Sequence, residues 1–138
     1  MFRRRPDAPD PMELEDVPGG PDTGTLIVDL ADLPDHGGAE IVFGEEDDDS
    51  ASSGTGIRVL VQRLGDAIHV YENRCPHAGT PLNLFGPDFL DISGQKLICR
   101  THGALFDPKD GYCTRGPCKG EHLRAIAHTI RDGKVYSA

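Results

Sequence analysis

Two short cysteine–histidine boxes constrain this chain more than any other feature of it. Cys75-Pro76-His77 and Cys99-Arg100-Thr101-His102 stand with 21 residues between His77 and Cys99. Each follows a run with the length and residue types of a β-strand, so each begins a loop. Two such loops can deliver two thiolates and two imidazoles to one place. That donor set holds either one tetrahedral zinc, or a two-iron cluster with both cysteines on one iron and both histidines on the other. The chain has four cysteines in all, two of them beside histidines, a pattern that suggests metal before a disulfide scaffold.

The surrounding sequence reads as short strands. Thr25 to Leu30, Glu40 to Phe43, Ile57 to Arg63 and Ala67 to Glu72 are brief runs rich in Val and Ile between turn residues. Leu64-Gly65-Asp66 joins the last two as a hairpin. Ser93-Gly94-Gln95 does the same for Phe89 to Ile92 and Lys96 to Cys99, and Arg131-Asp132-Gly133 for Leu123 to Ile130 and Lys134 to Tyr136. No segment sustains a helical period over three turns. The expected fold is all-β, a small antiparallel barrel or sandwich.

With 138 residues the chain suits one domain plus tails. Residues 1–22 are rich in Pro, Asp and Gly with few apolar side chains, and predict a disordered tail before a domain at 23–138. Residues 44–56, with five consecutive acids, predict a solvated flexible loop, the alternative being a docking patch for a basic partner. The net charge is −9, with 16 acids against 5 bases in residues 1–69 and 7 against 9 in residues 70–138. Such a balance excludes a nucleic-acid partner, since phosphate recognition rests on Lys and Arg. No stretch approaches the roughly 18 apolar residues of a membrane span, and the chain reads as soluble and cytoplasmic.

The two boxes and the residues around them resemble the Rieske family, its ferredoxins and the Rieske domains of ring-hydroxylating oxygenases. The resemblance spans roughly Ile57 to Tyr136 and takes in Gly103, Phe106, Gly111, Pro117 and Leu123 in HGALF, DGYC, GPCKG and HLRAI. It implies one [2Fe-2S] cluster per chain, ligated by Cys75, His77, Cys99 and His102. It also implies a cluster-binding subdomain at 75–118 whose two loops carry the histidines to a solvent-facing tip. The chemistry of the residues agrees. Thiolates suit Fe–S clusters and zinc alike, whereas neutral imidazoles remove negative charge from one iron and raise its potential. Gly79 and Gly103, directly beyond or near each histidine, permit the backbone angles that loop amides need to reach cluster sulfurs.

Departures from the family refine the expectation. High-potential members carry a disulfide where this chain has Thr80 and Thr101, and a serine and a tyrosine where it has Ala104 and Phe106. With hydroxyl donors missing, the potential is expected toward the lower end of the Rieske range, about −150 mV. The segment 81–95 (PLNLFGPDFLDISGQ) is expected to form a flap whose apolar residues pack on the barrel, rather than a docking surface. Cys113 and Cys118 are expected to be thiols and not ligands, a disulfide being the alternative. His36, His69, His122 and His128 have no cysteine at ligand spacing. There is no Ser-His-Asp set, no phosphate-binding glycine loop and no room for an oxygenase's mononuclear-iron domain. The implied role is a ferredoxin-like one-electron carrier between a reductase and an oxygenase or other redox enzyme, without catalytic activity of its own. Two alternatives stand beside it: a small subunit of a larger oxidoreductase, such as a nitrite reductase or oxygenase system, and a redox-sensing or structural metal module.

Overall fold

A computed structural model describes residues 7–44, 56–76, 79–84 and 88–138. Among these residues nine strands follow in order: β1 Leu26–Asp29, β2 Gly38–Phe43, β3 Ile57–Leu64, β4 Ala67–Glu72, β5 Leu97–Cys99, β6 Ala104–Phe106, β7 Cys113–Arg115, β8 His128–Arg131 and β9 Lys134–Ser137. They form three antiparallel sheets of three, ordered β1-β9-β8, β2-β3-β4 and β5-β6-β7. The all-β antiparallel expectation holds, but the sheets do not close into a barrel. Among the described residues the only helical turns are short 3₁₀ segments at Leu14–Asp16 and Leu30–Asp32.

The central sheet works as a wall between two cores, and the period-2 alternation of its strands explains how. From β3, Ile57, Val59 and Val61 enter one core with Leu14, Ile27, Leu33, Val70, Ile126 and Val135. Leu60 and Tyr71, paired across β3 and β4, point the other way into the second core, which holds Leu82, Phe89, Leu97, Phe106 and all four cysteines. A strand buried on both faces reads as a near-continuous apolar run, as IRVLV does. The ladder Leu64↔Ala67 closes β3 onto β4 through Gly65-Asp66, and Arg131↔Lys134 closes β8 onto β9 through Asp132-Gly133. Asp132 and Gly133 both have positive φ, 52° and 73°, as a two-residue hairpin turn that matches strand twist requires.

Two expected elements differ. Leu90 and Leu97 make only an isolated bridge, so the first arm of the Ser93-Gly94-Gln95 hairpin is not a strand. The expected strand from Leu123 shortens to His128–Arg131, because residues 125 and 126 bridge to different partners, Ala125 to Tyr71 and Ile126 to Met12. Residues 45–55, most of the acidic run, lie outside the described residues. The run leaves and returns at one neck: a Cβ on Gly44 would lie 2.4 Å from the Gly56 Cα, and the Gly56 N–H donates to Pro18 O at 2.6 Å.

The front of the chain also differs from expectation. Residues 1–6 lie outside the described residues, but 7–22 are not a tail without a core. Met12 exchanges backbone hydrogen bonds with Ala125 and Ala127, Arg124 Nε donates to Asp10 O at 2.7 Å, and Leu14 is fully buried. Three apolar side chains, Met12, Leu14 and Val17, join the core that holds Ile126, although the composition around them is that of a disordered segment. Leu14→Ala is accordingly expected to cost about 3 kcal/mol, as a leucine truncated in a filled core does. Deleting residues 1–22 should lower thermal stability by at least as much, yet leave the visible spectrum of the folded protein unchanged, since Leu14 belongs to the core remote from the cysteines. Calorimetry and absorbance on the truncated protein test both statements, and unchanged stability would contradict the packing.

Candidate metal centre

The two boxes differ in spacing, Cys-x-His against Cys-x-x-His, yet the chain bends both in the same way. Gly79 N–H donates to Cys75 O and Gly103 N–H to Cys99 O, each at 2.8 Å and each from four positions beyond the cysteine. The two glycines have φ of 72° and 73°, the left-handed conformation that closes such a turn. A Cβ would meet nothing within 4 Å at Gly103 and only the Arg74 guanidinium at Gly79, so conformation rather than space requires glycine.

Hydrogen bonds tie the loops together. The hydroxyls of Thr80 and Thr101 lie 3.1 Å apart, at the pair of positions where high-potential relatives carry a disulfide. Arg100 N–H donates to Leu82 O at 3.2 Å, and the Arg100 guanidinium reaches Asp88 O and Leu90 O. The flap is thereby strapped to the second loop. Leu82 and Phe89 are buried in the core and Leu90 packs against it, whereas Leu84 is half exposed. Phe85 lies outside the described residues. Leu82, Phe89 and Leu90 thus pack as the sequence predicts, and Leu84 does not.

A third loop completes the cover. Gly116 has φ of 106°, and a Cβ there would lie 2.8 Å from the Ala104 Cα, so Gly116-Pro117 rests directly on the start of β6. Ala104 is opposite Cys99 in the β5–β6 ladder, and Phe106 is opposite Leu97 and Cys113. At the far end of the same turn system, Tyr71 donates its hydroxyl to Pro108 O at 2.6 Å, and burial pushes its phenol up from the ordinary tyrosine range.

Sequence reasoning missed Asn73. This residue, 2% exposed, accepts the Leu82 N–H at 2.8 Å and donates its amide to Asn83 Oδ1 at 2.9 Å and to Glu40 Oε2, while its own N–H donates to Arg58 O. Glu40 in turn pairs with Arg58 at 3.1 Å. The side chain two residues before Cys75 therefore pins the first loop to both the flap and the central sheet. Its sequence signal was only an asparagine at the end of a strand.

Of the four candidate ligands, Cys75 and Cys99 are 2% and 0% exposed and share one core, while His102 is exposed. His77 lies outside the described residues, and among those described no three His, Cys, Asp or Glu side chains converge on one metal-ion position. His69 lies in β4 and His128 in β8, where its Nδ1 is 2.8 Å from Ile126 O, and both stand apart from the boxes in sequence. Buried soft donors behind an exposed imidazole suit a cluster whose sulfur side is shielded and whose histidine side meets solvent.

Fold and sequence together define a class, small all-β domains with two Cys/His loops. The chain belongs to the Rieske [2Fe-2S] domain family, whose model matches residues 27–130, and a [2Fe-2S] cluster is the cofactor of that domain. Among solved structures it is similar to the ferredoxin of carbazole 1,9a-dioxygenase from Nocardioides aromaticivorans IC177. That match has a TM-score of 0.62 and 22% identity over 85% of this chain and 98% of that one. A chain in the complex of reduced oxygenase and oxidized ferredoxin of carbazole 1,9a-dioxygenase matches with TM-score 0.60 and 20% identity, over 82% of this chain and 90% of that one. The terminal oxygenase of the Nocardioides system matches with TM-score 0.63 and 16% identity, over 83% of this chain but 29% of that one. At these identities the likeness establishes the fold. Comparison with curated proteins yields no match.

Proposed function

We propose that Cys75, His77, Cys99 and His102 hold one [2Fe-2S] cluster per chain and that the protein is a one-electron carrier between a reductase and an oxygenase or other redox enzyme. The observation that carries this reading is the split of the donor set, with Cys75 and Cys99 buried behind tied loops and His102 exposed. When bound, the cluster supplies a one-electron couple. The chain's own residues do the rest. Cys75 and Cys99 are kept from water in one buried core with Leu82 and Phe106, and His102 offers an imidazole edge at the surface where a partner protein can dock. The reading also accords with the similarity to a dioxygenase ferredoxin over almost its whole length. Among the described residues no helix is long and apolar enough to cross a membrane, as suits a carrier that docks and leaves. A cytoplasmic setting, where reductases and oxygenases of this kind meet their carriers, belongs to the same proposal.

The test is direct. Protein purified without oxygen should contain two irons and two sulfides per chain, with a reduced EPR signal whose average g lies below that of all-cysteine clusters. His102→Cys, where a cluster still assembles, should lower the potential, since a thiolate adds negative charge that disfavours reduction. Stoichiometric zinc in iron-replete protein, or an unchanged potential in His102→Cys, would defeat the assignment.

A further inference from the structure

Cys113 and Cys118 take no part in the proposed ligand set, yet they are placed with care. Both are buried, 0% and 2% exposed, and their sulfurs lie 3.0 Å apart. The backbone holds them from both sides. Cys113 N–H donates to Glu121 O at 2.8 Å, Cys113 O accepts from Gly120 N–H at 3.2 Å, and Cys118 O accepts from Glu121 N–H at 2.9 Å. Of the four residues between them, Thr114 is half-buried and Arg115, Gly116 and Pro117 are exposed, so the pair lies just beneath the third loop. Cys118 also shares its buried core with Cys75, the first of the proposed ligands.

We infer that Cys113 and Cys118 form a reversible dithiol–disulfide switch beneath the third loop, oxidised by low-molecular-weight disulfides such as oxidised glutathione, that modulates the potential of the adjacent centre. The inference rests on Cys75 as a cluster ligand. A disulfide requires the sulfurs to approach to about 2 Å, roughly an ångström closer than they stand. Opening of the Arg115-Gly116-Pro117 tip admits the oxidant. One thiolate attacks the S–S bond of glutathione disulfide and releases one glutathione thiolate. The second cysteine then attacks the mixed disulfide and releases the other. In sum, two cysteine thiols lose two protons and two electrons, and the oxidant's disulfide gains them as two glutathione thiols. The consequence for Cys75 is chemical. As a thiol, Cys118 can give its S–H to the Cys75 sulfur, but in the disulfide neither sulfur carries a proton. Loss of a donor to a ligand sulfur disfavours the reduced, more negative state. Cysteine pairs of this kind in reducing compartments are commonly transient and redox-sensing.

The experiment uses the holoprotein, held without oxygen in glutathione buffers from fully reduced to fully oxidised. Samples are quenched in acid, alkylated, cleaved after Arg115 and weighed, with voltammetry and iron and sulfide analysis in parallel. In oxidising buffer the two halves of the cut loop should remain linked, with Cys113 and Cys118 unalkylated, Cys75 and Cys99 alkylated after acid release of iron, and the link reversed by reduced glutathione. The one-electron equilibrium should shift about tenfold toward the oxidised centre, or about 59 mV. Cys113→Ser, or Cys113→Ala should the serine misfold, should abolish both the link and the glutathione dependence of the potential. Thiols that stay alkylatable at every glutathione ratio, a link without change in potential, or pairing of Cys118 with Cys75 would each overturn the inference. Failure of the ligand assignment is separately visible, as iron and sulfide below two per chain before any oxidant is added.

Discussion

Asn73→Ala is expected to destabilise the protein by about 3 kcal/mol, although no part of Asn73 belongs to the proposed ligand set. The substitution strips the Leu82 N–H of its acceptor and leaves Asn83 Oδ1 and Glu40 Oε2 without the amide that reached both. A buried polar group left unpaired costs about 1–3 kcal/mol, and at least one of these, the Leu82 N–H, has no route to water because Leu82 is fully buried. For a chain of this size the loss corresponds to a fall in melting temperature of roughly 10 °C. Because the broken contacts join the first loop to the flap, the visible absorbance of the cluster should decay faster under chelator than in the parent protein. Asn73→Asp should not rescue. It restores the acceptor for Leu82 but sets a carboxylate against Glu40 and the Asn83 carbonyl oxygen. Thermal denaturation of the two variants, with a chelator challenge, tests the point. A loss below about 1 kcal/mol would show that water replaces the lost partners.

Ala104→Ser and Phe106→Tyr are each expected to raise the cluster potential by on the order of 50 mV. A hydrogen bond to a charged acceptor is worth about 1.5 kcal/mol, and 59 mV corresponds to a tenfold change in a one-electron equilibrium. Both side chains are fully buried, Ala104 opposite Cys99 and Phe106 opposite Cys113, so a new hydroxyl has few partners besides sulfur. The same burial makes stability a second readout. A hydroxyl that finds no partner would cost about 1–3 kcal/mol, whereas one that donates to sulfur should be nearly neutral. Voltammetry and denaturation on the four proteins of the cycle should show additive potentials if the hydroxyls serve different sulfurs. Potentials that stay put while stability drops would place the hydroxyls away from the centre.

Some of this molecule is legible in its sequence, and the reasons are local. β3 and β4 announce themselves because IRVLVQR and AIHVYE flank a glycine turn, and Asp132-Gly133 dictates its hairpin by conformation alone. The boxes stand out in the sequence because few residue types bind metal and the spacing of two pairs is hard to meet by chance. β6 and β7 were not read, being three-residue strands whose pairing is fixed by neighbours rather than by their own pattern. The front segment was misread because composition averages over a window. There, three apolar side chains decide the outcome, and the bridge partner of Met12, Ile126, lies more than a hundred residues away. Asn73 was invisible for a related reason. Its value lies in partners on β2 and the flap, which only the folded chain assembles.

The hydroxyl pair of Thr80 and Thr101 bears on how the protein acquires and loses its cofactor. A neutral hydrogen bond is worth roughly 1 kcal/mol, whereas a covalent bridge closing a span of this length would contribute about 3 kcal/mol. The two loop tips of this protein can thus part by thermal motion, with no bond to reduce first and none to remake afterwards. Newly made chain can accept iron and sulfide in a fully reducing environment, and damaged centres can be replaced without help from thiol oxidases. The corresponding expectation is a shorter residence time for the cluster under chelator than in a domain whose two loops are joined by a covalent bridge.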